Sequence, residues 1–306
     1  MRMSIAPSWT FFARAAAGTA LAGILTAAPA TAQLALPGAV APTPEGTVTS
    51  PSAPRPKKKV SSGEMGQARG PVVMPKAPSE DTIIGKTLKL DGSGSVIEFS
   101  RGGTDLQVSK LTLSGDRLSR SGEECRVEVA GMPLKLTSQN SGAGLRRYQI
   151  AFPACPFTLD VLDGAILVTN ESKACEIKVA DCRADPSGLW GTAESEFDPK
   201  KAEEMLGARA KVEKTVRADF RELYQRNSKD KLVRGFVVKE QASFSSWREE
   251  VCRSYAKESD FGYCALRLTE ARTIVLGAQL AGGVKLPDGY AEAAAAEEAA
   301  TKTKRK

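Results

Sequence analysis

Tyr148-Gln149-Ile150-Ala151-Phe152 and Phe157-Thr158-Leu159-Asp160-Val161 place an apolar side chain at every second position, and Asp163-Gly164 closes the second run. Successive side chains of an extended chain point to opposite faces, so this is the pattern of half-buried strands. Asp-Gly is a hairpin signal, because both residue types tolerate the left-handed backbone a tight turn needs. Leu88 and Leu90 repeat the alternation, as do Leu111 and Leu113 around Thr112, Val127 and Val129 around Glu128, and Leu134 and Leu136 around Lys135. Further turn signals stand at Asp91-Gly92, Gly102-Gly103, Gly115-Asp116 and Ser141-Gly142. Eight or nine short strands between about residues 83 and 184 predict a small antiparallel β-barrel or sandwich.

Beyond about residue 185 the period changes. Asp198-Pro199 reads as an N-cap followed by proline at the first helical position, and Val212, Val216, Phe220 and Leu223 continue at helical spacing. A second helical pattern runs from about Lys229 to Tyr255. Gly262 breaks the chain, and a third pattern runs from Tyr263 to about Leu280. The fold class is therefore α+β: a β-rich domain over 83–184, then a three-helix domain over 185–281 stapled by a disulfide.

The chain ends read differently. Arg2 and Arg14 precede or flank an apolar run, Ala15 to Ala30, that ends in Ala30-Thr31-Ala32 before Gln33. This is a signal-peptide pattern with cleavage after Ala32, and the run is shorter than the roughly 20 residues a membrane span requires. Residues 33–82 are rich in Pro, Ala, Gly, Ser and Lys and read as a disordered linker, because such a composition buries too little surface to offset its ordering entropy. Residues 282–306 read as a disordered basic tail, with an Ala/Glu run from Ala291 to Ala300 that suits a loose helix. The net charge is +7. Much of the excess sits in Arg55-Pro56-Lys57-Lys58-Lys59 and in Lys302-Thr303-Lys304-Arg305-Lys306. The preferred reading of such runs is a solvated linker and a solvated tail; the alternative, outside the cytoplasm, is attraction to an anionic wall or membrane surface, and nucleic acid is not an expected partner.

Catalytic chemistry is poorly represented. The chain has no histidine, which excludes Ser-His-Asp and Cys-His mechanisms. Ser254-Tyr255-Ala256-Lys257 matches Ser-x-x-Lys without its companion motifs. Gly85-Lys86-Thr87 imitates the end of a phosphate-binding loop, but Glu80 stands where an earlier glycine is required. Asp160 with Asp163, and Glu249 with Glu250, read as paired or solvated acids rather than glycosidase carboxylates. No enzyme, cofactor or metal site is expected.

One stretch carries a family resemblance. Gln241, Phe244, Trp247, Arg248, Glu249 and Cys252 are followed by Cys264, Leu268, Thr269, Arg272, Thr273 and Leu276. This succession resembles the LprI-type lysozyme-inhibitor domain of bacterial envelope proteins, with Phe244 where that family usually has Trp and a shorter segment between the cysteines. The resemblance extends loosely over about residues 186–281 and implies an exported inhibitor of lysozyme-like glycosidases. A lesser likeness lies in Ser141-Gly142-Ala143-Gly144 and Tyr148, similar to the Ser-Gly-x-Gly-x-x-Tyr loop of membrane-bound C-type lysozyme inhibitors, but the Tyr falls one residue late and that family's second motif is missing; a glycine-rich hairpin turn is the preferred reading. Read as physics, Phe244, Trp247 and Val251 share one helix face that is expected to be core, while Arg248 and Arg272 are expected to pair with Glu249 or Glu270 or to cap carbonyls.

Six cysteines in an exported chain imply three disulfides. Cys252 leaves one helix and Cys264 opens the next, so their bond makes a helical hairpin. The other four allow three pairings. If Glu176 to Ala180 is a strand, seven extended steps of about 23 Å separate Cys175 from Cys182, too far for a bond that needs Cα atoms within about 7 Å. The Asp163-Gly164 hairpin folds Cys155 towards Cys175 and leaves Cys125 for Cys182. The functional expectation is an exported binding protein, an inhibitor that occludes a muramidase cleft, with a non-catalytic envelope scaffold or adaptor as the alternative. Its contact candidates are Glu258 and Asp260 in the loop Lys257–Phe261, and Ser141 in the β-turn.

Overall fold

The computed structural model describes residues 75–140, 143–170 and 174–304, the last four without their side chains. The expected signal peptide with Ala32 and Gln33, the expected linker up to residue 74, and Ser141 lie outside the described residues.

Eight strands close an antiparallel barrel. β1 (Thr87–Leu90), β2 (Val96–Gly102) and β3 (Asp105–Arg117) form one meander; β5 (Leu134–Asn140), β6 (Arg146–Ile150), β7 (Phe157–Leu162) and β8 (Ala165–Thr169) form another. β11 (Gly188–Gly191) bridges β8 and β1, and β3 bridges β2 and β5, which completes the ring. Phe99, Val108, Ile150, Leu159, Ile166 and Trp190 fill the interior. The Trp190 indole donates to the Pro186 carbonyl at 2.8 Å, which satisfies its one polar atom inside that core.

The far half of β3 leaves the barrel. It carries β4 (Glu124–Glu128) on one edge and β10 (Cys182–Ala184) on the other, with β9 (Cys175–Ile177) beyond β10. Gly115 and Asp116 therefore do not form the expected turn: they pair with Cys125 and Glu124 inside β3. The glycine is needed for a different reason. A Cβ there would lie 2.1 Å from the Arg183 carbonyl oxygen, so only glycine lets β10 cross this closely.

Cys125 is joined to Cys182, Cys155 to Cys175, and Cys252 to Cys264. The long strand expected between Cys175 and Cys182 does not form. Glu176 to Ala180 is not one strand, because a 3-10 turn at Lys178–Ala180 and a left-handed Asp181 fold the chain back, so β9 and β10 are hairpin partners. What separates Cys175 from Cys182 is register: Cys175 stands opposite Ala184, and Cys182 opposite Ile177.

Five helices follow among the described residues: α1 (Ala202–Arg226), α2 (Lys231–Cys252), α3 (Glu258–Phe261), α4 (Tyr263–Gly282) and α5 (Tyr290–Lys304). Asp198 caps the entry to α1 through Lys200 N, with Pro199 opening a 3-10 turn ahead of the helix. Asp230 caps α2 through Val233 N. Val216 and Leu223 of α1, Val237 of α2, and Leu276 and Leu280 of α4 share one apolar cluster.

Strands and helices also share a core. Leu162, Ala165 and Leu189 look outward from β7, β8 and β11 and pack with Tyr255, Phe261, Tyr263, Leu268 and Ala271. This explains why Ala165-Ile166-Leu167-Val168 is continuously apolar: the strand is covered by the barrel interior on one face and by helices on the other. β11 lies beyond residue 184, where only helices were expected; its four residues are too short to show a period. Gly191 belongs to the same contact, since a Cβ there would meet the rings of Tyr255 and Tyr263.

Both expected disordered segments are partly ordered. Glu80–Thr82 forms a 3-10 turn, and buried Glu80 accepts from Arg101 at 3.1 Å, from Arg146 at 3.3 Å and from the Tyr148 hydroxyl. In the tail, α5 forms, and Tyr290 meets Phe236 edge-on at 5.0 Å. A few side chains anchor each segment whose bulk composition reads as disordered: Glu80 and Asp81 in the first, and Tyr290, Glu297 and Glu298 in the second.

Candidate functional site

The residues of the family-like stretch converge on the seam between α1, α2 and α4. Arg248 on α2 donates to Glu213 of α1 at 3.3 Å and to the Thr269 hydroxyl of α4 at 3.0 Å. Arg272, buried on α4, donates to Gln241 at 3.2 Å and to Glu240 at 2.8 Å. Both guanidinium groups lie over the Phe244 ring, at 5.8 and 5.4 Å. Leu268 is buried beside them. The acids are not those expected: Glu270 pairs with Arg267 on its own helix, and Glu249 is exposed. These arginines reach across to other helices because their own helix neighbours point elsewhere.

Glu258 is a cap rather than an exposed contact. Its carboxylate accepts from Cys264 N at 2.8 Å and Ala265 N at 3.1 Å, the free amides at the start of α4. Burial pushes its pKa up, opposed by those two hydrogen bonds and by the charges of Arg209 and Arg248. One turn of α3 tilts Glu258 inward, which the reading of Lys257–Phe261 as a loop missed. Asp260 is exposed and accepts only from Ser259 next to it, at 3.0 Å, among the bonds described. Asp160, also weighed as a catalytic acid, is buried in a two-pronged pair with Arg147 at 2.7 Å. Asp163 meets Arg267 at 3.1 Å.

Trp247 departs furthest from expectation. It is 38% exposed, not core. The face that α2 turns to its partners is set by Gln241, Phe244 and Arg248, and Trp247 is rotated off it toward the barrel. There it walls a cleft of about 310 Å³ between the end of α2 and the strands β8 and β11. Leu167 and Val251 supply an apolar floor, while Asp91, Ser187, Glu250 and Ser254 supply a polar rim. Asp91 is fixed in the left-handed region at φ 53°, which aspartate tolerates better than most residues. Its carboxylate accepts from Ser254 at 2.8 Å, and its carbonyl accepts from Ala256 N at 2.9 Å. Burial raises the Asp91 pKa, and the Ser254 hydrogen bond opposes the rise. The Ser254 of the chance Ser-x-x-Lys motif is thus a positioning partner of Asp91. A sequence signal for this face existed: Trp247, Glu250, Val251 and Ser254 stand at helical spacing i, i+3, i+4 and i+7.

Other concave surfaces occur among the described residues, including two that are larger than this cleft. An apolar groove of about 830 Å³ lies at the disulfide-tied end of the barrel, lined by Val127, Leu134, Phe152 and fully exposed Val179. A cleft of about 510 Å³ beside α1 and α4 mixes acids with Lys201 and Arg267. No helix among the described residues is long and apolar enough to cross a membrane. Compared with known families, curated proteins and solved structures, the chain shows no match.

Proposed function

We propose that this chain is a non-catalytic binding protein of the cell envelope, exported by cleavage after Ala32 and presenting its ligand surface where α2 meets the barrel. The observation that carries this reading is the exposed Trp247 over a polar-rimmed cleft, on a frame held by three disulfides. Disulfides persist in oxidising, extracellular-type compartments, which supports the export reading. In this reading α1, α2 and α4 are a three-helix scaffold, and Gln241, Arg248, Thr269 and Arg272 hold it together without touching the ligand. The basic runs at 55–59 and 302–306 add attraction to anionic wall or membrane surface.

The test is sedimentation of the purified protein with isolated wall sacculi and, separately, with a C-type lysozyme. Retention by either, without lysis by the protein itself, is the expected result. Lysis of walls by the protein, or retention by neither, would overturn the proposal. A second reading, inhibition of muramidases by occluding their sugar cleft, is favoured by the likeness of Gln241–Leu276 to the lysozyme-inhibitor domain. It requires that micromolar protein slow lysis by the enzyme, and an unchanged lysis rate removes it.

A further inference from the structure

We propose that the cleft beside Trp247 binds a saccharide, with one pyranose ring stacked on the indole and its hydroxyls held by Asp91, Glu250 and neighbouring hydroxyl side chains. The inference rests on the reading of the chain as an exported binding protein and names the ligand class of that same site. A pyranose has an apolar face of C–H groups and a rim of hydroxyls that both donate and accept. The cleft offers the complement: an aromatic wall, whose face is electron-rich, an apolar floor, and a rim carrying carboxylate acceptors beside hydroxyl groups. Its volume of about 310 Å³ lies at the small end of ligand sites, which run about 300–1,000 Å³. The geometry is prepared in advance, since Ser254 and the Ala256 amide fix Asp91 before any ligand arrives.

A single organic cation is the competing occupant, because Trp247 with two acids also suits a cation–π site. The saccharide is favoured by the hydroxyls. A quaternary cation has no use for Ser187 and Ser254, and among the described residues only one aromatic side chain, Trp247, lines the cleft.

The chain holds three tryptophans, Trp9, Trp190 and Trp247. In protein labelled at its tryptophan nitrogens, titration with chitotetraose should move the Trp247 indole signal saturably. The Trp190 signal should stay fixed, because that indole is buried and bonded to Pro186, and it serves as an internal control for folding. Trp247→Ala should abolish binding with the Trp190 signal unchanged. Asp91→Asn keeps a residue that tolerates the left-handed backbone and should weaken binding about tenfold, the loss of one hydrogen bond to a charged group. Glu250→Gln should weaken it several-fold. No movement of Trp247 with chitotetraose or with solubilised wall glycan would overturn the saccharide assignment. Salt-sensitive movement with choline in place of sugar would also overturn it, in favour of a cation. Failure here with sacculus retention intact, and equal in Trp247→Ala, would leave the envelope-binding reading standing and remove only this cleft from it.

Discussion

α2 and α4 are joined by one disulfide, yet they are opposite kinds of helix. Thirteen of the twenty residues of α4 are buried, on all sides of the helix. Of the twenty-two residues of α2, only Val237 and Cys252 are. α4 lies between the barrel wall and α1, so every face finds a partner, and its sequence is apolar nearly all round. α2 lies outside, touching α1 and α4 through Val237 and a set of polar side chains, and so its remaining face is free to carry Trp247. A family-like motif that spans both helices therefore means different things on each: packing on α4, and crosslinks plus an open surface on α2.

That contrast is easiest to break by truncation. Leu276→Ala, on α4 with no exposure, should cost about 2–5 kcal/mol. Trp247→Ala should cost less than about 1 kcal/mol, despite the larger side chain, because it leaves a half-open surface instead of a cavity. Chemical denaturation of both variants measures the difference, and equal losses would make α2 a core helix after all. Next in size, replacing Cys252 and Cys264 by alanine should cost about 3 kcal/mol on the chain-entropy argument. The same denaturation experiment, read against the unreduced protein, checks it.

The segment between the two helices gives a finer test. Glu258→Ala should cost about 1–2 kcal/mol by stripping two amides at the start of α4, whereas exposed Asp260→Ala should leave the melting temperature nearly unchanged. Matching melting temperatures for the two variants would return Glu258 to the surface. The smallest effect is one of pH. The Glu258 and Asp91 carboxyls are held above their ordinary values of 4.5 and 3.8, chiefly by burial. The folded chain thus binds these protons more tightly than the unfolded chain. The stability this contributes is fully present below the ordinary values and is lost as pH rises through the folded ones. Carbon-detected NMR should show both groups titrating high, while Asp81 and Asp181, hydrogen-bonded to Arg101 and Ser119 respectively, titrate low. A Glu258 titration at or below its ordinary value would mean that the cap stays hydrated.

Much of the fold was legible because period and turn chemistry are local. The hairpins at Gly102-Gly103 and Asp163-Gly164, the proline-led entry to α1 and the break at Gly262 could be read from the residues themselves. Gly115 was misread because a glycine that permits a close crossing looks, in sequence, like one that permits a turn. The candidate site was less legible. Helical spacing placed Phe244, Trp247 and Val251 on one face but carried no information on which arc of that face meets a partner.

By itself, the sequence determined the succession of short strands and long helices, since apolar period and capping residues act within a few positions along the chain. It also determined the stock of three disulfides and the lack of histidine chemistry. Only the tertiary structure decided that the strands close a ring, that β7, β8 and β11 are covered on their outer face, and that Glu258 turns inward while Trp247 turns out. Those outcomes depend on which surfaces meet between segments a hundred or more residues apart, as when Ser254 donates to the Asp91 carboxylate at 2.8 Å. No local pattern encodes that choice, because it is made by burial summed over the whole molecule.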